Sequence, residues 1–482
     1  RGSSMSSDGS KSGDTPSIAH TFRIYLDRRM VRIGLLGLIS GFPWVLIGSA
    51  LSLWLKEDGL SRTTIGWAGL IFGVYAINFL WAPLIDRIQI PFLTARLGHR
   101  RAWILSLQAV ILTCLALWSI FDPVTNLQGV IAIALVIAIA SATQDITIDA
   151  LRIEQVGSDE SAAMAAGAAV AVVGWWTGYK LGGVVALVTA ETLQQAGMTN
   201  YWQLTFLVLG AIVVLCNVAL MGVPETPPSE RTQAQTEYEQ ALRSRLNFGG
   251  MLAAIVTWLG ATLIGPLASF FRRNGMAIAL AVLGFIFLFK IGEAFLGRMS
   301  IIFYKEIGFS KTDIALYSKG IGWVTTVFFT LLGGLFAVRV GLVRAMFLAG
   351  ILMALTNLMF SVLAWSGKSE LMFALAVVMD DLAGAFATVT FVAFISMLVD
   401  RTYTATQYAL LASIGTAGRT LFASGSGALV DWLNGDWGVF FVITAVMVLP
   451  SLLCLWLIRH QLARMLVGSR VRLFSKEAHQ DP

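Results

Sequence analysis

Two aspartates four residues apart, Asp145 and Asp149, stand with Gln144 at the end of an apolar run that begins at Gly129. Residues four apart share one helix face. An ionised carboxylate inside a bilayer costs at least ~3 kcal/mol on insertion scales, so acids held there carry function, most often as proton carriers. The competing reading ends the helix at Ala142 and leaves both acids as a wet helix terminus.

Other charges interrupt apolar segments in the same way. Lys180 lies about 17 residues into its segment, too deep to snorkel easily to either surface, and is expected to pair with an acid, Asp145 in particular. Trp175 and Tyr179, four apart, form either a stacking wall for a sugar or aromatic group or a lipid-facing stripe. Lys290 and Glu293 are three apart on one face. Lys319 falls near the outer end of its segment, Asp380 and Asp381 are adjacent and so cannot share a face, and Arg419 follows Gly418. Buried bases of this kind attract an anionic small molecule. The phosphate-cradling glycine loop of a nucleotide-driven pump is lacking, as is a soluble catalytic domain, so the chain reads as a transporter and not as an enzyme.

These charges need twelve elements to hold them. The chain has 482 residues, 57% hydrophobic and 13% charged, with a mean hydropathy of +0.75; this is an all-α polytopic membrane protein. Apolar segments of the roughly 20 residues that cross a bilayer fall near 31–55, 64–85, 102–121, 129–151, 163–189, 203–223, 276–298, 314–338, 343–365, 371–399, 406–430 and 437–458. Twelve spans put both termini on one side, and Lys plus Arg choose that side. Tails and loops on the terminal side carry 22 of them against 6 opposite, which places both termini in the cytoplasm. The net charge of +6 is therefore an orientation signal, with no nucleic-acid partner implied. Cys114, Cys216 and Cys454 are scattered in apolar runs and form neither a disulfide framework nor a metal site.

The chain divides into a polar, Ser/Gly-rich tail (1–30), a first six-helix bundle (31–223), a cytoplasmic linker (224–275), a second bundle (276–458) and a basic tail (459–482). Within the linker, Met251–Phe271 is apolar but broken by Gly260 and Pro266, and reads as a helix lying on the inner membrane surface. Asp86-Arg87 at the end of the second segment and Arg100-Arg101 before the third suit an ion-paired cytoplasmic gate, with Asp149 as a further member. Gly34, Gly37, Gly41 and Gly48 let the first segment approach a neighbour closely or line a cavity, and Pro43 can kink it. Two bundles of six place a substrate site near mid-membrane between them.

Several of these motifs resemble the AmpG muropeptide permease family of the major facilitator superfamily. They are Ser40-Gly-Phe-Pro-Trp44, Trp81-Ala-Pro-Leu-Ile-Asp-Arg87 with Gly98-His-Arg-Arg-Ala-Trp103, Ser141-Ala-Thr-Gln-Asp-Ile-Thr-Ile-Asp-Ala150, Tyr179-Lys180-Leu-Gly182, Lys290-Ile-Gly-Glu293 and Thr406-Gln407-Tyr-Ala-Leu-Leu411. The resemblance implies a major facilitator fold and proton-linked import of N-acetylglucosaminyl-anhydro-muramyl peptides across the bacterial inner membrane. It further implies peptidoglycan recycling and a link to β-lactamase induction and antibiotic resistance. The family's span-four acids carry over to Asp145 and Asp149, with Gln144 beside them. On this reading Asp145, Asp149 and Lys180 couple the proton. Gln144, Trp175, Tyr179, Lys290, Glu293, Lys319, Asp380, Asp381 and Arg419 bind the cargo, and no cofactor is needed beyond the proton. The chain works as a monomer in the bilayer. The span-four motif is shared with the eukaryotic acetyl-CoA transporter family, and some relatives lie near siderophore-uptake genes. Transport of another bulky anion, a siderophore complex or an acyl-CoA, therefore stands as the alternative, with a non-transporting membrane receptor as a third reading.

Overall fold

The computed structural model of the chain describes Arg23 and residues 26–464, apart from 82–84, 86–87, 156–160, 226–249, 261–263, 341 and 399–403. Backbone groups in hydrocarbon have no water to bond, so an apolar chain closes its hydrogen bonds within helices. Eleven helices among the described residues are long and apolar enough to span: Arg28–Glu57, Arg62–Leu80, His99–Trp118, Leu127–Arg152, Val170–Gln195, Tyr201–Leu220, Met276–Ile307, Lys311–Gly333, Val343–Ser366, Glu370–Phe391 and Trp437–Leu457. The remaining crossing, eleventh in order, is split at Ser424-Gly425 into Thr404–Ala423 and Ser426–Trp432. The result is the twelve-helix, two-bundle major facilitator arrangement.

Span seven differs from its sequence reading. It runs to Ile307, not 298, and breaks at Phe289-Lys290 into Met276–Leu288 and Ile291–Ile307. The charges Arg298, Lys305 and Glu306 had marked the end of the apolar run, yet they lie on the helix, and Arg298 and Glu306 reach the other bundle. The linker segment forms two short helices, Met251–Leu259 and Gly265–Asn274. Neither is long enough to cross a bilayer, and Phe270 of the second is buried in the core of the second bundle.

Spans one and five lie in near-backbone contact, because glycines face each other. A Cβ on Gly41 would stand 2.1 Å from the Trp175 carbonyl oxygen, and one on Gly178 would stand 2.4 Å from that of Leu38. This is the small-residue packing that replaces hydrophobic attraction between membrane helices. Just after Pro43, span one widens into a π-helical stretch, Val45–Ala50. Span eight does the same over Ala315–Ile321, the stretch that holds Lys319. Span two tightens to a 3₁₀ turn over Gly69–Gly73. Irregular turns of this kind cluster at functional sites.

The core is unequal at the two ends. At the end opposite the termini, a single apolar cluster runs through both bundles, from Leu53 and Trp54 to Phe303, Phe309 and Trp437. At the terminal end each bundle keeps its own: Leu36, Ile104 and Leu220 in the first, Phe285, Met346 and Phe394 in the second. Among the described residues, the halves share one apolar core at one end and keep separate ones at the other.

Candidate transport site and inter-bundle seal

Span four docks on spans one and two through its polar residues. Ser40 donates to Asp145 Oδ1 at 2.6 Å, and buried Gln144 donates through Nε2 to the Ile39 carbonyl at 3.3 Å. Tyr75 bonds Ser141 at 2.7 Å, the Asn78 amide bonds the Ala142 carbonyl, and Trp81 bonds Thr143. The helix thus continues well past Ala142, and Asp145 sits on its inner, half-buried face. The Gln144 amide nitrogen thus docks the helix on the span-one backbone, while its Oε1 is buried with no hydrogen-bond partner among the described residues.

Lys180 does not meet Asp145. Its Nζ stands 3.2 Å from Asp381 Oδ1 and 3.3 Å from the Ser318 carbonyl, so the pair ties span five of the first bundle to span ten of the second. Thr325 donates to the other Asp381 oxygen at 2.8 Å. Gly322 leaves room for the pair, since a Cβ there would lie 3.0 Å from Lys180 Nζ and 3.1 Å from Asp381 Oδ2. Asp145 was the expected partner because it lies nearer in sequence; the acid that serves is 201 residues away. Asp380, on the adjoining face, is half-buried.

Lys290 occupies the break in span seven. It pairs with Glu293 at 3.4 Å and donates to Thr388 at 2.8 Å. Arg419 donates to Thr416 on its own helix at 3.1 Å. Buried Lys319 has no carboxylate within ion-pair distance among the described residues; its Nζ lies 4.1 Å from the centre of the Tyr179 ring, a cation–π contact. Trp175 and Tyr179 have ring centres 5.5 Å apart, and Trp44 lies 5.5 Å from Trp175 and 4.7 Å from Tyr75. The first bundle therefore presents a wall of rings, while the cations other than Lys180 project from the second.

Of the expected gate at the terminal end, Arg100 and Arg101 are described: their backbone N–H groups donate to the Glu225 carboxylate of the linker at 2.9 and 3.0 Å, and the Arg101 side chain stands 3.9 Å from it. Asp149 is exposed and lies 3.8 Å from Arg152 on its own helix. Asp86 and Arg87 lie outside the described residues. Among the described residues at this end, the ion pairs of Arg101 and Asp149 stay on their own side of the seam.

The opposite end carries the ion pairs instead. Glu306 of span seven receives Lys56 at 2.7 Å, Arg62 at 2.8 Å and the Trp437 indole at 2.5 Å. Arg62 also reaches Asp431 at 3.0 Å, and Thr63 donates to Asp431 through its backbone at 3.0 Å and through its hydroxyl. Lys311 is wholly buried between Glu57 at 2.9 Å and Glu191 at 3.1 Å, with Gln194 bonded to it and Tyr201 donating to Glu57. Gly66 and Gly427 let spans two and eleven touch, since a Cβ on Gly427 would overlap the Arg62 carbonyl. An open cavity of about 370 Å³ at the same end is lined by Trp54, Asp58, Asp122 and Tyr201. It has no cation and lies on the first bundle alone, away from the inter-bundle charges.

Sequence reasoning missed the seal because charges flanking apolar segments resemble ordinary solvated helix ends. The signal available was their balance: acids and bases stand together at 56–62 and 305–313, with two acids and no base at 431–436 to complement them.

The sequence profile of the Major Facilitator Superfamily matches residues 33–300. The anhydromuropeptide permease of Escherichia coli K12 is 30% identical over 442 residues, covering 91% of this chain and 82% of that protein. The AmpG 4 protein of Rickettsia conorii is 31% identical over 433 residues, covering 90% and 97%. Among solved structures, a POT family transporter in complex with 5-aminolevulinic acid superposes with a TM-score of 0.65 at 12% identity, covering 90% and 96%. A D-xylose-proton symporter does so with 0.58 at 14%, covering 87% and 96%; these two speak to the fold alone. With a seam of paired charges between two six-helix bundles, and with these relatives along nearly its whole length, the chain is a multi-pass membrane transporter belonging to the AmpG family of the Major Facilitator Superfamily.

Proposed function

We propose that this transporter imports anionic anhydro-muropeptides across the bacterial inner membrane by alternating access, driven by protons. The observation that carries the reading is the charge array at the seam. Lys180–Asp381 bridges the bundles, Lys319, which has no carboxylate partner among the described residues, lies over Tyr179, and Asp145 is hydrogen-bonded by Ser40. Among the described residues Asp145 has no cation within ion-pair distance, so it is the span-four acid free to take up and release a proton during transport. The ring wall suits sugar faces and the cations suit carboxylates. The excess of Lys and Arg on the terminal side makes that side cytoplasmic, so the conformation described is closed toward the periplasm. The likeness to the E. coli anhydromuropeptide permease supports this cargo.

The test is uptake of labelled N-acetylglucosaminyl-anhydro-muramyl tripeptide into vesicles under an imposed pH gradient. The native chain is expected to accumulate it, and Asp145→Asn to lose uphill accumulation while still exchanging cargo down its gradient. Unchanged accumulation by the variant removes Asp145 from the coupling step. Cations without carboxylate partners recognise charge more than sugar, which keeps a siderophore complex or an acyl-CoA as the second reading; both serve as competitors in the same assay. Binding without flux would mark a receptor.

A further inference from the structure

Arg298 is a cation that neither the family motifs nor the ion-pair seal absorbs. It projects from span seven into the groove between spans one and two of the other bundle. There its Nη1 donates to Ser52 Oγ at 3.1 Å and its Nη2 to the Ile65 carbonyl, while its Nε is buried with no partner. No carboxylate lies within ion-pair distance of it among the described residues. The cations of the seal and the seam bridge each have one: Lys56 and Arg62 have Glu306, Lys311 has Glu57 and Glu191, and Lys180 has Asp381; Lys319, the other cation without one among the described residues, lies over the Tyr179 ring instead.

The fold makes a place for this guanidinium. Span two leaves the α-helical pattern at Gly69, whose N–H turns to the Gly66 carbonyl. That releases the Ile65 carbonyl, the acceptor an α-helix would have given to Gly69, and Arg298 takes it. Gly69 also supplies the space, since a Cβ there would lie 2.5 Å from Arg298 Nε. A planar fork of N–H donors is shaped for a carboxylate. Here it is satisfied by one hydroxyl and one backbone oxygen, both neutral, and only because the sealed end is shut.

We infer that Arg298 is a specificity residue that captures the carboxylate of incoming cargo when the sealed end opens, with Ser52 and Ile65 holding its place when that end is closed. The inference rests on the proposed import of an anionic cargo. Separation of the bundles withdraws span seven from Ser52 and Ile65 and leaves the fork facing the space that opens between them.

The experiment compares the KM for uptake of the anhydro-muramyl tripeptide with that of its carboxamide, in which the carboxylates are amidated. Arg298→Gln should raise the KM for the acid form about tenfold and leave that for the amide unchanged. Efflux KM, measured from the cytoplasmic side, should not move for either form. Arg298→Lys should keep much of the preference for the acid, and Ser52→Ala, which removes only the resting partner, should keep all of it. An equal loss for acid and amide, or no loss, overturns the inference, as does a matching change in efflux KM. If native protein transports no muropeptide, the proposed cargo falls. The comparison is then made between ferric citrate and an uncharged ferric siderophore, and Arg298→Gln must still act only on the charged form.

Discussion

Lys180 and Asp381, 201 residues apart, meet at 3.2 Å and join the two bundles across their seam. Both side chains are nearly buried, so neither charge is well solvated without the other. Removing one partner of such a pair costs about 3–5 kcal/mol, whereas replacing both by neutral groups is close to neutral. Lys180→Met and Asp381→Asn are each expected to lower the thermal unfolding temperature in detergent. The double variant should recover most of that loss while transport stays abolished. A double-variant loss equal to the sum of the two single losses would show that the two side chains act apart.

Lys311 is the wholly buried cation of the seal, placed between Glu57 and Glu191. Lys311→Gln leaves two carboxylates facing each other without a counter-charge. A loss of about 3 kcal/mol from the closed state alone shifts a closed-to-open ratio roughly a hundredfold. A cysteine at position 52, in a background with Cys114, Cys216 and Cys454 replaced, should then react far faster with an impermeant maleimide added outside. Labelling at the native rate would show that Lys311 does not hold the seal.

Asp58 sits in the loop between spans one and two, at the mouth of the sealed end. Burial first, then the neighbouring Asp122 and Glu57, push its carboxyl up to about 6 from 3.8. A group that holds its proton more tightly in the folded protein stabilises the fold at low pH and loses that contribution as pH rises through its folded value. The window therefore runs from about 4 to about 6. The native chain should gain thermal stability relative to Asp58→Asn as pH falls through that window. A constant difference between the two from pH 7 to pH 4 would contradict the assignment.

Gly41 has no room for a side chain, because a Cβ would stand 2.1 Å from the Trp175 carbonyl oxygen. Gly41→Ala forces spans one and five apart, which displaces Ser40 from Asp145 and Trp44 from Trp175. Stability and uptake should fall together, by more than the roughly 1–3 kcal/mol of ordinary overpacking. Gly48, whose nearest neighbour is a ring atom at 3.8 Å, should accept alanine with little change in melting temperature.

The spans, their number and the asymmetry of positive charge could be read from composition and periodicity, because each is a local property of about 20 residues. Short-range pairs were legible for the same reason: Lys290–Glu293 forms at three-residue spacing. The partner of Lys180 was not, since nothing local distinguishes Asp381 from Asp145 as its counter-charge. Arg298 was hidden differently. A charge marks the edge of a hydropathy window, so span seven was ended at the residue that occupies its working face. The expected gate rested on charge in a short loop, and loop charge alone did not single out Glu225, 124 residues on, as the acid beside Arg101.

The apolar cluster shared by both bundles at one end has a thermal consequence. Opening that end wets rings such as Phe303 and Trp437, and exposure of apolar surface to water raises heat capacity. The balance between the two shapes of the carrier must therefore curve with temperature, and chilling should loosen the shut face without any solute present. A carrier fastened by ionic contacts alone would lack that curvature.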